Sequence, residues 1–277
     1  MQANSYAFQV GEFACTVLLD GARVVGRAGI LKHFPDISEA DCERAYADIG
    51  RSLDAADTSF NVLAVRVGSE TLLVDAGEGG RPAGGLLPES LRRAGIPPQT
   101  VTHVLITHTH GDHVQGLLSA VGEPVFPNAR YVLSKPEMAF WQQRIDGGIV
   151  DHGAILRLAQ AQGLRLIEMD EQIIPGVAAV PLPGHTPGHI GVLIGTGPDR
   201  LINLTDLLHS PMQFARPEWS ANYDLDPVLS AAARREALGR AAGEGLLALF
   251  YHLTFPGLGR VRRAGDGFTW EPLAASQ

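Results

Sequence analysis

Residues 107–113 read Thr-His-Thr-His-Gly-Asp-His, directly after the apolar run VTHVLI at 101–106. Three histidines and a carboxylate fall within this stretch, in a chain holding 10 histidines among 277 residues. The near-continuous apolar character of 101–107 predicts a strand covered on both faces. His108 and His110 lie two apart just past it, so an extended backbone sends both imidazoles to the same side. Gly111 permits a sharp turn. Asp112 and His113 then open a helix predicted over 112–121, where a carboxylate is favoured by the helix dipole. One short loop thus brings four ligand-type side chains to one point, with no thiolate among them. Nitrogen and carboxylate donors suit zinc, iron or manganese.

Three later stretches each place one more candidate after an apolar strand. PLPGHTPGH (181–189) supplies His185 in a Gly/Pro-rich turn and His189 four residues on. LINLTDLLH (201–209) supplies Asp206 and His209, and LLALFYHLTFPG (246–257) supplies His252. Five histidines (108, 110, 113, 185 and 252) and two aspartates (112 and 206) make a set that fits two metals sharing a bridging carboxylate.

Around these residues the pattern alternates strands and helices. NVLAVRV (61–67) and TLLVDAG (71–77) flank a short glycine-containing turn and read as a hairpin. Residues 36–56 are charged, alanine-rich and helical in pattern, with Ser38 and Asp41 approximating a capping box. Further strands are predicted at 131–134, 165–169, 176–182, 189–195, 200–206 and 246–252. Helices are predicted at 88–95, 136–145 and 227–243, and a closing hairpin at the C-terminal end. No Pro/Ser-rich linker divides the chain, so a single domain over 1–277 is expected. Strands in both halves with few, separated helices suggest two sheets packed together with helices outside.

Composition narrows the function classes. The chain is 45% hydrophobic and carries 22 basic against 30 acidic residues, a net −8. Its only basic cluster, RVRR at 260–263, reads as a solvated strand face, so no nucleic-acid partner is expected. Cys15 and Cys42 stand far apart, which argues against a disulfide framework and thiolate metal sites. The first residues lack a signal-peptide pattern, and no apolar run reaches the ~18 residues of a membrane span. A cytoplasmic protein without membrane partners is expected.

The order H-x-H-x-D-H, a G-H-T-P-G-H histidine, a strand-end aspartate and a late histidine resembles the metallo-β-lactamase superfamily, from Asp75 in LLVDAG to His252. The resemblance implies an α/β fold, a four-layer αββα sandwich of two mixed sheets with helices outside. It implies two divalent metal ions per chain, zinc foremost, with iron, manganese or cobalt as alternatives. His108, His110 and His185 would hold one; Asp112, His113 and His252 the other; Asp206 would bridge them. Asp75 and His189 would support the ligands from behind. The implied chemistry is attack of a metal-activated water on a carbonyl or phosphoryl centre, with Asp112 moving a proton.

The segments 205–219 and 250–261 look most like the branch holding N-acyl-homoserine lactone lactonases and methyl parathion hydrolase. Many of those lactonases have a tyrosine three residues after the bridging aspartate; here His209 stands there, a candidate catalytic residue. The expected activity is hydrolysis of a small-molecule ester or lactone. Phosphotriester hydrolysis, a glyoxalase II-like thioesterase and a mononuclear iron, persulfide dioxygenase-like enzyme are the alternatives. His33, Phe34, Phe140 and Trp141 are candidate pocket residues. The loop 77–85 and the helix 136–145 are candidates for a lid or a homodimer contact.

Overall fold

The computed structural model describes residues 4–80, 85–146 and 152–273. The part of the proposed lid loop at 81–84 lies outside them. Two seven-stranded sheets are described. The first holds β1 (Ser5–Val10), β2 (Phe13–Val24), β3 (Asp57–Val67), β4 (Glu70–Val74), β5 (His103–Ile106), β6 (Arg130–Ser134) and β7 (Arg165–Ile167), neighbouring one another in that order. The second holds β8 (Gln172–Ile174), β9 (Val177–Pro181), β10 (Ile190–Ile194), β11 (Leu201–Asn203), β12 (Leu247–Leu249), β13 (Leu258–Ala264) and β14 (Gly267–Pro272), also in chain order. The helices are α1 (Gly26–His33), α2 (Glu39–Asp48), α3 (Leu87–Arg93), α4 (Gly111–Val114), α5 (Lys135–Asp146), α6 (Gly153–Ala161), α7 (Met212–Ala215) and α8 (Pro227–Gly243).

Alternation along the strands builds the layers. On β5, Leu105 faces the opposite sheet while Val104 and Ile106 face outward to helices; on β6, Val132 and the pair Tyr131 and Leu133 divide the same way. The inner cluster joins these residues to Val177, Ile190, Val192, Leu201 and Leu249 of the second sheet. Outside the first sheet lie Leu91 of α3, Trp141 of α5, and Ile155 and Leu156 of α6. Outside the second lie Ala233, Ala237 and Leu238 of α8. The result is the expected αββα sandwich. Each fully buried aliphatic side chain contributes roughly 1.5–3 kcal/mol, so strands apolar on both faces are held most firmly.

β4 to β7 run parallel, as do β11 and β12. Parallel neighbours need crossover connections, which bring successive strand ends to one edge. Asp75 follows β4, residues 107–113 follow β5, His185 follows β9, Asp206 follows β11 and His252 follows β12. The Ile190 amide donates to the Thr107 carbonyl at 3.2 Å, linking the two sheets at that edge. A satellite cluster of Ile30, Phe34, Cys42, Tyr46 and Met212 seats α1 and α2 beside it.

Several element boundaries differ from the sequence reading. Helix α2 is shorter than 36–56, although Ser38 caps it as expected, accepting from the Asp41 amide at 3.2 Å. The helix expected over 112–121 stops at Val114 and continues only as a 3-10 turn, Gln115–Leu117. Among the described residues, no helix is long and apolar enough to cross a membrane.

Candidate metal centre

The seven ligand candidates, drawn from four stretches of the chain, meet at that edge. His108, His110, His185 and Asp206 form one group whose ligand atoms all lie within 4.8 Å of one another; Asp112, His113, Asp206 and His252 form a second. Asp206 belongs to both. Its Oδ2 lies 3.5 Å from His185 Nε2, 3.6 Å from His108 Nε2 and 3.2 Å from His252 Nε2, and its Oδ1 lies 3.1 Å from His113 Nε2. His110 Nδ1 faces His185 Nε2 at 2.9 Å.

Hydrogen bonds behind the rings decide which nitrogen is bare. His113 donates through Nδ1 to Asp75 Oδ2 at 2.8 Å, and His185 through Nδ1 to Asp224 Oδ1 at 2.9 Å. His252 Nδ1 faces the Ser59 carbonyl at 3.3 Å. Each ring therefore presents Nε2 toward the shared point, which is how metal-binding histidines are oriented. His108 Nε2, His113 Nε2 and Asp206 Oδ1 are buried with no partner in hydrogen-bonding geometry. Polar atoms left so in a protein interior are costly. Several such atoms converging on one place, from a nitrogen and carboxylate donor set, fit divalent cations.

Electrostatics agree with that fit for the first group and for Asp206, whereas against the cost of burial Asp206 and Asp112 hold His113 and His252 above their ordinary value, a pull that a cation between them would replace. Burial pushes His110 down to about 3 and His209 down to about 4, so both are neutral near pH 7. Burial likewise holds His108 well below its ordinary value. Against the cost of burial, His113, His252 and His108 hold Asp206 well below the usual carboxylate range. Neutral imidazoles and ionised carboxylates are the forms that bind metal without first releasing a proton.

Backbone strain marks the same place. Asp75 has φ 66° and Thr205 has φ 40°. An aspartate tolerates the left-handed region, but a β-branched threonine there is an outlier. Thr205 directly precedes Asp206, and its hydroxyl donates to His189 Nε2 at 2.6 Å. His189 Nδ1 in turn donates to the Leu182 carbonyl at 2.9 Å. His189 thus braces the loop after β9 against the Asp206 turn. Strain of this kind persists where surrounding contacts enforce it.

A cavity of about 370 Å³ opens over the centre, lined by Arg23, Val25, Ile30, His33, Thr58, Asp112, His209 and Tyr223 among others. The four pocket candidates separate here. His33 lines the cavity. Phe34 and Trp141 are fully buried in hydrophobic clusters, and Phe140 packs under the Arg144 guanidinium at 5.1 Å. None of these three lines the cavity, which corrects the expectation from sequence. Helical period explains the error on α5: Glu137 and Trp141, four apart, share the buried face, so the indole goes into the core.

His209 lies with Nε2 at 3.3 Å from Asp206 Oδ2, its ring stacked on His252 at 5.1 Å and tilted against Tyr223 at 4.7 Å. With His185 and Asp224 it forms a third group of ligand-type side chains.

Asp224, Arg234, Tyr223 and Glu137 escaped the sequence reading. Arg234, fully buried, donates to Asp224 Oδ2 at 3.0 Å and to the carbonyls of Leu207, Pro217 and Trp219. Asp224 sits in Tyr-Asp-Leu-Asp-Pro, where Asp226 is the residue with a local signal, capping α8 through the Leu229 amide. Glu137 did carry a signal: a carboxylate on the apolar stripe of an amphipathic helix.

Residues 58–252 match the family described as the Metallo-beta-lactamase superfamily. The chain belongs to this superfamily. The N-acyl homoserine lactonase of Bacillus cereus is 29% identical over 147 residues, covering 52% of this chain and 53% of that protein. The chain thus spans about half the length of the curated relatives it matches. Among solved structures, AidC, described as a dizinc quorum-quenching lactonase, superposes with a TM-score of 0.90 at 26% identity, over 100% of both chains. AbOPH, described as a hydrolase in the beta lactamase superfamily, superposes with a TM-score of 0.89 at 27% identity, also over 100% of both.

Proposed function

We propose that this chain is a hydrolase of lactones or carboxylic esters, of the N-acyl-homoserine lactone or aryl ester kind, that works with two divalent cations, zinc foremost. The observation that carries the reading is the pair of four-residue groups sharing Asp206 beneath the cavity. Similarity to lactonases, one of them described as dizinc, supports the substrate class and the metal. His108, His110, His185 and Asp206 hold one cation; Asp112, His113, His252 and Asp206 hold the other. When bound, such a pair supplies Lewis acidity and lowers the pKa of a water to about 7.

The chain's own residues do the rest. Asp75, Asp224 and the Ser59 carbonyl keep His113, His185 and His252 in the ligating tautomer. Asp112 reaches the cavity wall, and against the cost of burial His113 and His252 keep it ionised. It is the group that takes up a proton and passes it to the leaving alkoxide. His209 orients Asp206 from the cavity side. Val25 and Ile30 give an acyl chain an apolar wall, and Arg23 and His33 line the polar part of the cavity.

The test is elemental analysis of the purified protein together with a panel of N-acyl homoserine lactones, aryl esters and phosphotriesters. Two zinc-class ions per chain and chelator-sensitive turnover of lactones or esters are expected. One iron per chain with thiol-dependent oxygen uptake, or full metal loading without turnover on any of the panel, would overturn the reading.

A further inference from the structure

Glu137 lies on α5, outside the ligand groups, yet it is fully buried. Its carboxylate is met by hydrogen-bond donors from two loops. Oε1 accepts from the Thr109 amide at 2.9 Å and the Thr109 hydroxyl at 2.8 Å. Oε2 accepts from the Thr186 hydroxyl at 2.6 Å and the Gly188 amide at 3.2 Å. Thr109 stands between His108 and His110, and Thr186 follows His185. Glu137 therefore grips, at one point, the loops that bear all three histidines of the first group. None of its four donors adjoins Asp112, His113 or His252.

Two details show a built contact. Gly188 has no side chain where a Cβ would meet the Glu137 amide nitrogen at 2.1 Å, so the loop can seat directly on the start of α5. Ser134 completes the contact, donating through Oγ to the Gly188 carbonyl at 2.7 Å and accepting from the Glu137 amide at 3.2 Å. A buried carboxylate is costly unless its lone pairs are met. The Thr109 and Gly188 amides, one aimed at each oxygen, can only donate, so both oxygens must accept, as those of an ionised carboxylate do and the two ends of a side-chain amide do not. Buried hydrogen bonds to ligand-bearing segments hold ligand geometry, as partners of the ligands themselves do.

We propose that Glu137 is a positioning residue that sets the affinity of the first cation site by fixing both histidine loops at once; this rests on the binuclear reading above.

Glu137→Gln keeps the volume but turns an NH2 toward two of the donors. The experiment compares parent and variant holoprotein by zinc competition against a graded chelator, resolving the two sites, with elemental analysis and the unfolding temperature of the metal-free form. The expected result is a folded variant whose first-site affinity falls at least about tenfold while the second stays at the parental value. Under competing chelator, zinc then drops from two toward one per chain. Parental affinity at both sites overturns the proposal, and so does equal weakening of both, which marks general destabilisation. If Glu137→Gln does not fold, Thr186→Val decides: it removes one donor, and about a threefold loss confined to the first site is expected. No such loss overturns the proposal. A parent that takes up fewer than two cations refutes the binuclear reading itself, and is told apart because it shows before any substitution is made.

Discussion

Asp75→Asn is the substitution whose consequence can be worked furthest. Asp75 is fully buried at φ 66°, a backbone conformation asparagine shares readily, so the exchange leaves the chain path intact. Its carboxylate accepts from the Thr107 amide at 2.9 Å, the Thr107 hydroxyl at 2.8 Å and His113 Nδ1 at 2.8 Å. An asparagine that keeps the Thr107 amide bond through its oxygen turns its NH2 toward Thr107 Oγ1 and His113. The threonine hydroxyl can rotate to accept. His113 can accept only by giving up the proton on Nδ1, which moves that proton to Nε2, the atom facing Asp206. The nitrogen needed for a cation is then blocked, or the ring stays as it was and loses a charged hydrogen bond. A bond to a charged group contributes about 1.5–3 kcal/mol, and 1.4 kcal/mol is a factor of ten. The second site should therefore lose about 10- to 100-fold in zinc affinity, while the first, built on His108, His110 and His185, stays near the parental value. Site-resolved chelator competition measures both, and turnover should fall with second-site occupancy. A variant with parental affinity at both sites would refute the tautomer argument, however its activity behaved.

His209→Ala should keep both cations and lower kcat by about 10²-fold; loss of metal instead would make His209 a ligand or a structural prop, which elemental analysis decides. Trp141→Ala removes a fully buried core indole, so it should cost about 3–5 kcal/mol of stability by denaturant titration; weakened substrate binding with unchanged stability would return Trp141 to the cavity. In the metal-free protein, burial pushes His110 and His189 down to about 3 and His209 to about 4, whereas an unfolded histidine titrates near 6.5. Between those values the unfolded chain binds more protons at these three groups, so their contribution to stability is full above about pH 6.5 and is lost as pH drops toward 4. The slope is up to about 1.4 kcal/mol per pH unit for each group. His113 and His252, which are shifted upward, act in the opposite sense: their contribution is present below about pH 6.5 and is lost as pH rises through their folded values. NMR titration of the histidine rings in chelator-treated protein measures these shifts group by group; rings of His110, His189 and His209 that titrate near 6.5 would contradict their burial.

The seven ligand candidates were legible because each stands just past an apolar strand, and strand ends are where a βα architecture gathers chemistry. Helix α8 was legible to the residue, since Asp226 and Pro227 announce its start. Helix α6 was not, although Ile155, Leu156 and Ala159 form a short apolar stripe. Its nine-residue length leaves a pattern that a strand-rich region easily hides.

What the sequence by itself determined is the list of donors, the strands that deliver them and the family they belong to, because those depend on local pattern and on spacing along the chain. Only the tertiary structure decided which nitrogen of each ring is bare, that Asp224 and Arg234 stand behind His185, that Glu137 ties two histidine loops, and that Trp141 belongs to the core. Each of these is settled by a partner far away in sequence or by which face of a helix meets the sheet, and no local pattern carries that information.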